Sequence, residues 1–313
     1  MFSEIPDRIY RYQRFSALSL DALCLDKLYF SDPNVFNDPL DCQPAIEPDS
    51  DNEALRLILR TLIEQRVTLE VLASLKNANI EGNNANIHSE KQAHQTAENT
   101  IQSIAYYATE PDIAPSVEEA ERYSLANEIK KELLKQINRG VCCLSQEYDN
   151  PLLWSHYGDQ HHGFCVGYTL NRNPKPKINK VLYGGLRTIK TSLISEAILN
   201  KNSEAKEELD KNIWLRKAEP WGYEKEWRIF NTVGLMDSPL LLSEITFGLR
   251  CSYPVMYSVI AALKPRDIKF YQMYFSGNSF ELDRSEADVD LLCTELPHKS
   301  RSGFEAFGPP HEE

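Results

Sequence analysis

The sequence predicts a mixed α+β fold, a β-rich core divided in the chain by a large helical insertion. Three observations carry this expectation. Segments rich in β-formers lie before residue 50 and again after residue 140. Residues 51–139 are instead rich in Ala, Leu, Glu, Lys and Gln, with apolar residues at three- and four-residue intervals. No internal repeat is visible. At 313 residues the chain exceeds one average domain but suits one core with an insertion. The predicted organisation is a core of residues 1–50 and 140–296, an insertion of 51–139 and a flexible tail of 297–313.

The elements follow in order. RIYRYQRF (8–15) reads as a strand that places Tyr10 and Tyr12 on one face and Ile9 and Arg11 on the other. Ser19–Leu28 reads as a short helix opened by a capping serine, followed by a brief strand at Leu28–Ser31. DPNVFNDPLD (32–41) then forbids regular structure through its prolines and favours Asn/Asp turns. In the insertion, KNANIEGNNAN (Lys76–Asn86) predicts a mobile loop between two helices. A third helix is expected from Ser116 to Asn138, closed by Gly140.

Strand character returns at Val141–Ser145. A short helix follows at Pro151–Tyr157, started by Asn150 and a proline in the first turn. GFCVGYTL (Gly163–Leu170) and Val181–Tyr183 read as strands, Thr191–Ala218 as one long amphipathic helix, and Tyr223–Val233 as a strand after a Pro-Trp-Gly break. The remainder predicts a strand at Glu244–Phe247, a turn at Gly248, a helix at Pro254–Leu263, a strand at Ile268–Met273 and a last one at Ser279–Leu282.

Bulk properties narrow the function. The net charge of −12 opposes a phosphate backbone, so no extended nucleic-acid surface is expected, although a pocket for one nucleotide-like ligand is allowed. No stretch approaches the roughly 18 uncharged apolar residues of a membrane helix, and MFSEIPDRIYRYQRF lacks a signal peptide's apolar run. A cytoplasmic protein without a membrane partner is the expectation. The seven cysteines (Cys24, Cys42, Cys142, Cys143, Cys165, Cys251, Cys293) show no zinc-type spacing and read as reduced core residues. Motifs of P-loop, dinucleotide-fold, serine-hydrolase and zincin enzymes are missing from the sequence.

Three constellations could carry chemistry. In Tyr223-Glu224-Lys225-Glu226-Trp227-Arg228, a strand would put Glu224, Glu226 and Arg228 in one row. Crowded carboxylates raise one pKa unless a cation sits between them. Arg228 could be that cation on a solvated edge, or the row could steady a positive charge developing on a ribose. In Trp154-Ser155-His156-Tyr157, the two aromatic residues lie three apart on a helix and could stack on a flat group, or plug the core. His156, His161 and His162 lack the spacing of a helical ligand pair, and no metal is expected. Asn37 and Asp38 could bind a ligand, or simply build the rigid turn before Pro39.

Taken together, R-I-Y-R-Y, L-Y-F-S-x-P-x-x-F-N-D-P-x-D, C-L-S-x-x-x-D-N-P-L-L-W-S-H-Y-x-x-x-H-x-G-F-C-V-G-Y, W-x-Y-E-K-E-W-R-I and E-I-T-F-G resemble an uncharacterised bacterial family, the domain-of-unknown-function 2971 group. That group has no settled activity. A more distant likeness is to the ADP-ribosyltransferase superfamily, which holds NAD between two small mixed sheets with flanking helices. This likeness implies Arg11 as an anchor for phosphate or ribose, with Tyr10 or Tyr12 as alternatives. It also implies Tyr157 as the group stacking on nicotinamide, near Trp154, and Glu226, preceded by Glu224, as the ribose-holding carboxylate. Such chemistry uses NAD as substrate and needs no metal. It would suit an effector of phage defence acting on a macromolecular target. Two other readings stand beside it: a non-enzymatic sensor that binds a ligand or protein through Tyr12, Trp154, Tyr157 and Trp227, and a metal-dependent nuclease using Asp38, Asp41, Glu224 and Glu226.

Overall fold

The computed structural model describes residues 5–110, 115–135 and 139–298. In chain order the elements are β1 (Arg8–Gln13), α1 (Ala17–Cys24), β2 (Lys27–Phe30), β3 (Ala45–Glu47), α2 (Asn52–Asn77), α3 (Asn83–Tyr107) and α4 (Val117–Lys135). Then come β4 (Arg139–Ser145), α5 (Pro151–His156), β5 (Phe164–Thr169), β6 (Asn179–Lys180), β7 (Leu182–Tyr183) and β8 (Thr188–Lys190). They are followed by α6 (Thr191–Ile198), α7 (Ser203–Trp214), β9 (Arg216–Lys217), β10 (Glu226–Thr232), β11 (Gly234–Asp237) and β12 (Leu241–Phe247). The last elements are α8 (Tyr253–Leu263), β13 (Lys269–Phe275), β14 (Leu282–Glu286) and α9 (Val289–Glu295). The fold is α+β. Among the described residues the strands form one eight-stranded mixed sheet and three two-stranded ladders.

The chain divides into two compact units. The first comprises the described parts of Met1–Phe30, Cys142–Asn179 and Tyr223–Glu313, the second those of Ser31–Val141 and Lys180–Gly222. These limits differ from the expected breaks near residues 50 and 140: the segment 180–222 groups with the helices, as does the turn of residues 32–41.

The first unit is built on the large sheet, ordered β14-β13-β12-β5-β1-β4-β10-β6. β1 lies antiparallel between β5 and β4, with Tyr10 opposite both Gly167 and Ser145. β12 runs antiparallel to β5 and parallel to β13. Because side chains alternate across a strand, each face has its own core. One face carries Ile9, Cys142, Leu144, Phe164, Val166, Tyr168, Trp227, Ile229, Ile245 and Phe247, covered by Leu23 of α1, by Met256, Val259, Ile260 and Leu263 of α8, and by Leu292 of α9. The opposite face carries Tyr10, Tyr12, Cys165 and Met273, packed with Leu153 and Trp154 of α5.

The second unit packs α2 against α3 and α4 through Leu55, Ile58, Leu59, Leu62, Ala93, Ala97, Ile101, Leu125 and Ile129. Small alanines on α3 allow the close approach. Buried Glu132 is met by Arg66 at 2.6 Å and Lys135 at 3.0 Å, and Glu121 by Arg56 at 2.6 Å. The parallel ladders β3–β8 and β7–β9 complete the unit with α6 and α7.

Several elements depart from the sequence expectation. The first helix starts at Ala17, capped by Ser16; Ser19 is its third residue and completes a capping box. The Asn-rich interruption is only 78–82, since Asn83, Asn84 and Asn86 are helical. Gly140 lies in β4, not at a helix end, and the expected last turn through Asn138 falls outside the described residues. The expected helix 191–218 is two, broken where Lys201 adopts φ 53° and Asn202 caps α7. The last strand begins at Leu282 and the expected tail lies mostly beyond the described residues. None of the seven cysteines, all within the described residues, forms a disulfide; Cys24 is exposed, while Cys42, Cys142, Cys165 and Cys251 are buried. Among the described residues no helix is long and apolar enough to cross a membrane.

Candidate functional site

The second core face of the first unit is the candidate site, because it gathers most of the chemistry-bearing residues. The row expected from Glu224, Glu226 and Arg228 is not a single strand face. Residues Glu219–Glu224 form a 3-10 helix, Lys225 takes φ 43°, and β10 begins only at Glu226. Local propensity favours a continued strand here, and tertiary bonding overrides it. Asn150 Nδ2 donates to Tyr223 O at 3.0 Å, Ser145 Oγ donates to Glu224 O at 2.7 Å, and Gln146 N donates to Lys225 O at 3.2 Å. The 145–150 segment thus holds the bend, and Lys225 Nζ reaches Glu147.

The two glutamates consequently have different partners. Glu226 is 3 % exposed and Arg228 fully buried; Arg228 Nε donates to Glu226 Oε1 at 2.7 Å and Nη2 to Oε2 at 3.2 Å. A guanidinium matched to a carboxylate at two points is the form of ion pair that best offsets burial of both charges. The solvated-edge reading of this pair is therefore corrected: Arg228 is the cation, but the pair is interior. Glu224 is 4 % exposed and accepts the phenol of Tyr157, Oη to Oε1, at 2.8 Å. Tyr157 is half-buried and follows the last residue of α5.

Trp154 is fully buried and plugs the core. Its Nε1 donates to Tyr148 O at 2.8 Å, Tyr12 meets it edge-on at 5.1 Å, and His161 stacks on it at 6.0 Å. Tyr12 Oη donates to Glu147 O at 2.9 Å, and burial holds this phenol protonated far above its ordinary range. Burial, with the charge of Glu244 behind it, pushes the Tyr10 phenol up to about 12. Arg11 alternates with Tyr10 and Tyr12 and so lies on the opposite face; its Nη2 donates to Tyr29 O at 3.0 Å. The triad of Arg11, Tyr157 and Glu226 is thus not gathered on one side of the sheet.

Asn37 and Asp38 belong to the second unit. Asp38 builds the expected turn: its Oδ1 accepts Leu40 N at 2.9 Å and its carbonyl accepts Asp41 N at 3.1 Å. Among the described residues no group of three or more His, Cys, Asp or Glu is arranged to hold a metal ion, so the nuclease reading has no ligand set there.

Two groupings escaped the sequence reading. Buried Glu244 of β12 takes Arg8 Nη1 on one oxygen at 2.7 Å and Arg284 Nη1 on the other at 2.6 Å. Arg284 also lies 3.9 Å over the ring of Tyr148 and 4.2 Å over that of Tyr271. A Cβ on Gly167 would come within 2.4 Å of Glu244 Cγ, so the glycine makes room for this carboxylate. A lone glutamate in the apolar E-I-T-F-G strand was the only signal, and its partners are 236 and 40 residues away. The second grouping is the loop after α5, where Asp159, Gln160 and His161 adopt φ of 52°, 52° and 71° in succession. Left-handed backbone costs an L-residue roughly 1–2 kcal/mol, so the loop is strained; the Gly158 carbonyl accepts Gly163 N at 2.9 Å and closes it.

No curated protein and no solved structure matches the chain significantly. Residues 153–229, which run from α5 into β10 and include Trp154, Tyr157, Glu224, Glu226 and Arg228, match the model of a family described as a protein of unknown function, DUF2971.

Proposed function

We propose that this chain opens the glycosidic bond of a nucleotide such as NAD, in the manner of the ADP-ribosyltransferases, with Tyr157 and Glu224 as the working pair. The supporting observation is the 2.8 Å hydrogen bond from the Tyr157 phenol to the buried Glu224 carboxylate. A carboxylate that already accepts one hydroxyl can exchange it for a ribose hydroxyl at small net cost, since one hydrogen bond replaces another. The displaced phenol would then be free to lay its ring against the nicotinamide. As the bond from the ribose to nicotinamide breaks, nicotinamide leaves with the electron pair and the ribose becomes an oxocarbenium ion. Glu224 stabilises that charge before water or an acceptor nucleophile adds and loses its proton.

This reading gives the ribose to Glu224 and leaves Glu226 bound to Arg228. Tyr10 and Tyr12 share the face with the pair and would shape its floor. The test is incubation of labelled NAD with the purified protein, with and without cell lysate. Release of nicotinamide or transfer of label, lost in Glu224→Gln, supports the reading; the absence of both events in the wild type refutes it.

A non-enzymatic binding module is the second reading, favoured by the two-point Glu226–Arg228 pair, which spends the second carboxylate on structure. A rise in melting temperature with NAD but no turnover would favour it.

A further inference from the structure

We propose that the first unit carries a separate site for a small aromatic monocarboxylate, in the cavity between the strained loop after α5 and the β13–β14 hairpin. The cavity has a volume of about 420 Å3 and is lined by His161, Leu249, Arg250, Phe275, Phe280 and Leu282, among others. That volume is within the range of small-molecule pockets and suits a body of one or two rings.

Four observations point to a ligand. Phe280 is 99 % exposed and Phe275 71 % exposed, although both border the cavity; flat apolar surface left in water at a pocket wall is surface a ring would cover. The guanidinium of Arg250 is exposed and makes no ion pair or hydrogen bond to any described residue, so a cation stands available at the apolar wall. His161 Nδ1 is buried and has no hydrogen-bond partner. Finally, the fold spends backbone strain to put this ring there. His161 closes a run of three left-handed residues, and its carbonyl accepts Arg250 N at 2.9 Å, tying the two polar groups together. Gly248 permits that approach, since a Cβ on it would meet His161 O at 2.2 Å.

The charge selects the ligand. One guanidinium offers a two-point fork to a carboxylate and neutralises a single negative charge. A phosphate monoester, with nearly two charges, would leave one uncompensated in a chain of net charge −12. The apolar residues Leu249 and Leu282 supply no further cation. This site does not depend on the NAD reading, because neither Tyr157 nor Glu224 lines the cavity.

The experiment is isothermal titration of the full chain with three probes that share one ring system: naphthoate, naphthamide and naphthyl phosphate. Naphthoate should bind one-to-one, at least about ten-fold tighter than naphthamide. Arg250→Gln should erase that preference, and Phe280→Ser should weaken both probes; these side chains are exposed, and an unchanged circular dichroism spectrum checks the fold. Absence of saturable naphthoate binding would overturn the proposal. So would an undiminished preference in Arg250→Gln, or tighter binding of naphthyl phosphate than of naphthoate.

Discussion

Glu226 and Arg228, two residues apart at the start of β10, bind each other through two contacts of 2.7 and 3.2 Å inside the protein. Removing either partner takes this two-point contact from a buried charge. Glu226→Leu is therefore expected to cost about 3–5 kcal/mol in urea unfolding. The double variant Glu226→Leu/Arg228→Met should recover much of that loss, because the buried cation is removed together with the carboxylate that met it.

Backbone clearance gives a second prediction. A Cβ on Gly163 would lie 2.3 Å from Gln13 O and 3.0 Å from Gly158 O, both backbone atoms that cannot swing aside. Gly163→Ala should destabilise by about 1–3 kcal/mol, read from the urea midpoint at constant slope.

The strained loop supplies a third. Gln160 holds φ 52° with an exposed side chain, so Gln160→Gly removes a steric cost without deleting a buried contact. Stability should rise by up to about 1 kcal/mol, the gain being reduced by the greater freedom of glycine in the unfolded chain. Thermal unfolding measures it.

Protonation of His161 gives a fourth. Burial, and then the charge of Arg250, depress its pKa below the ordinary 6.5. The unfolded chain thus takes up this proton first as pH falls. Stability from this residue is present above pH 6.5 and is lost as pH falls through the lower folded value. In an NMR titration, Arg250→Gln should move the His161 midpoint upward, and His161→Asn should flatten the acid limb of the stability curve.

Much of this architecture was legible in the residues. The alternation in RIYRYQRF distinguished the faces of β1, while which of them meets α5 depended on packing. That packing puts Tyr10 and Tyr12 beside Trp154 and Arg11 on the far side. The E-K-E run was misleading, because a strand pattern does not report hydrogen bonds from Ser145 and Asn150 that bend the chain at Lys225. The break in the helix of residues 191–218 had a signal in Asn200 and Asn202, outweighed by apolar periodicity on either side. The Arg8–Glu244–Arg284 group had almost none, since a carboxylate cannot advertise partners far along the chain. Asp38 was readable as a turn residue from the proline after it.

The most direct test of the central claim is nicotinamide release from NAD by purified wild type, Glu224→Gln, Tyr157→Phe and Arg11→Gln. Release is expected from the wild type, with a loss of about a hundred-fold or more in Glu224→Gln, a smaller loss in Tyr157→Phe, and little change in Arg11→Gln, whose side chain lies across the sheet. No release by the wild type, or equal release by wild type and Glu224→Gln, would contradict it.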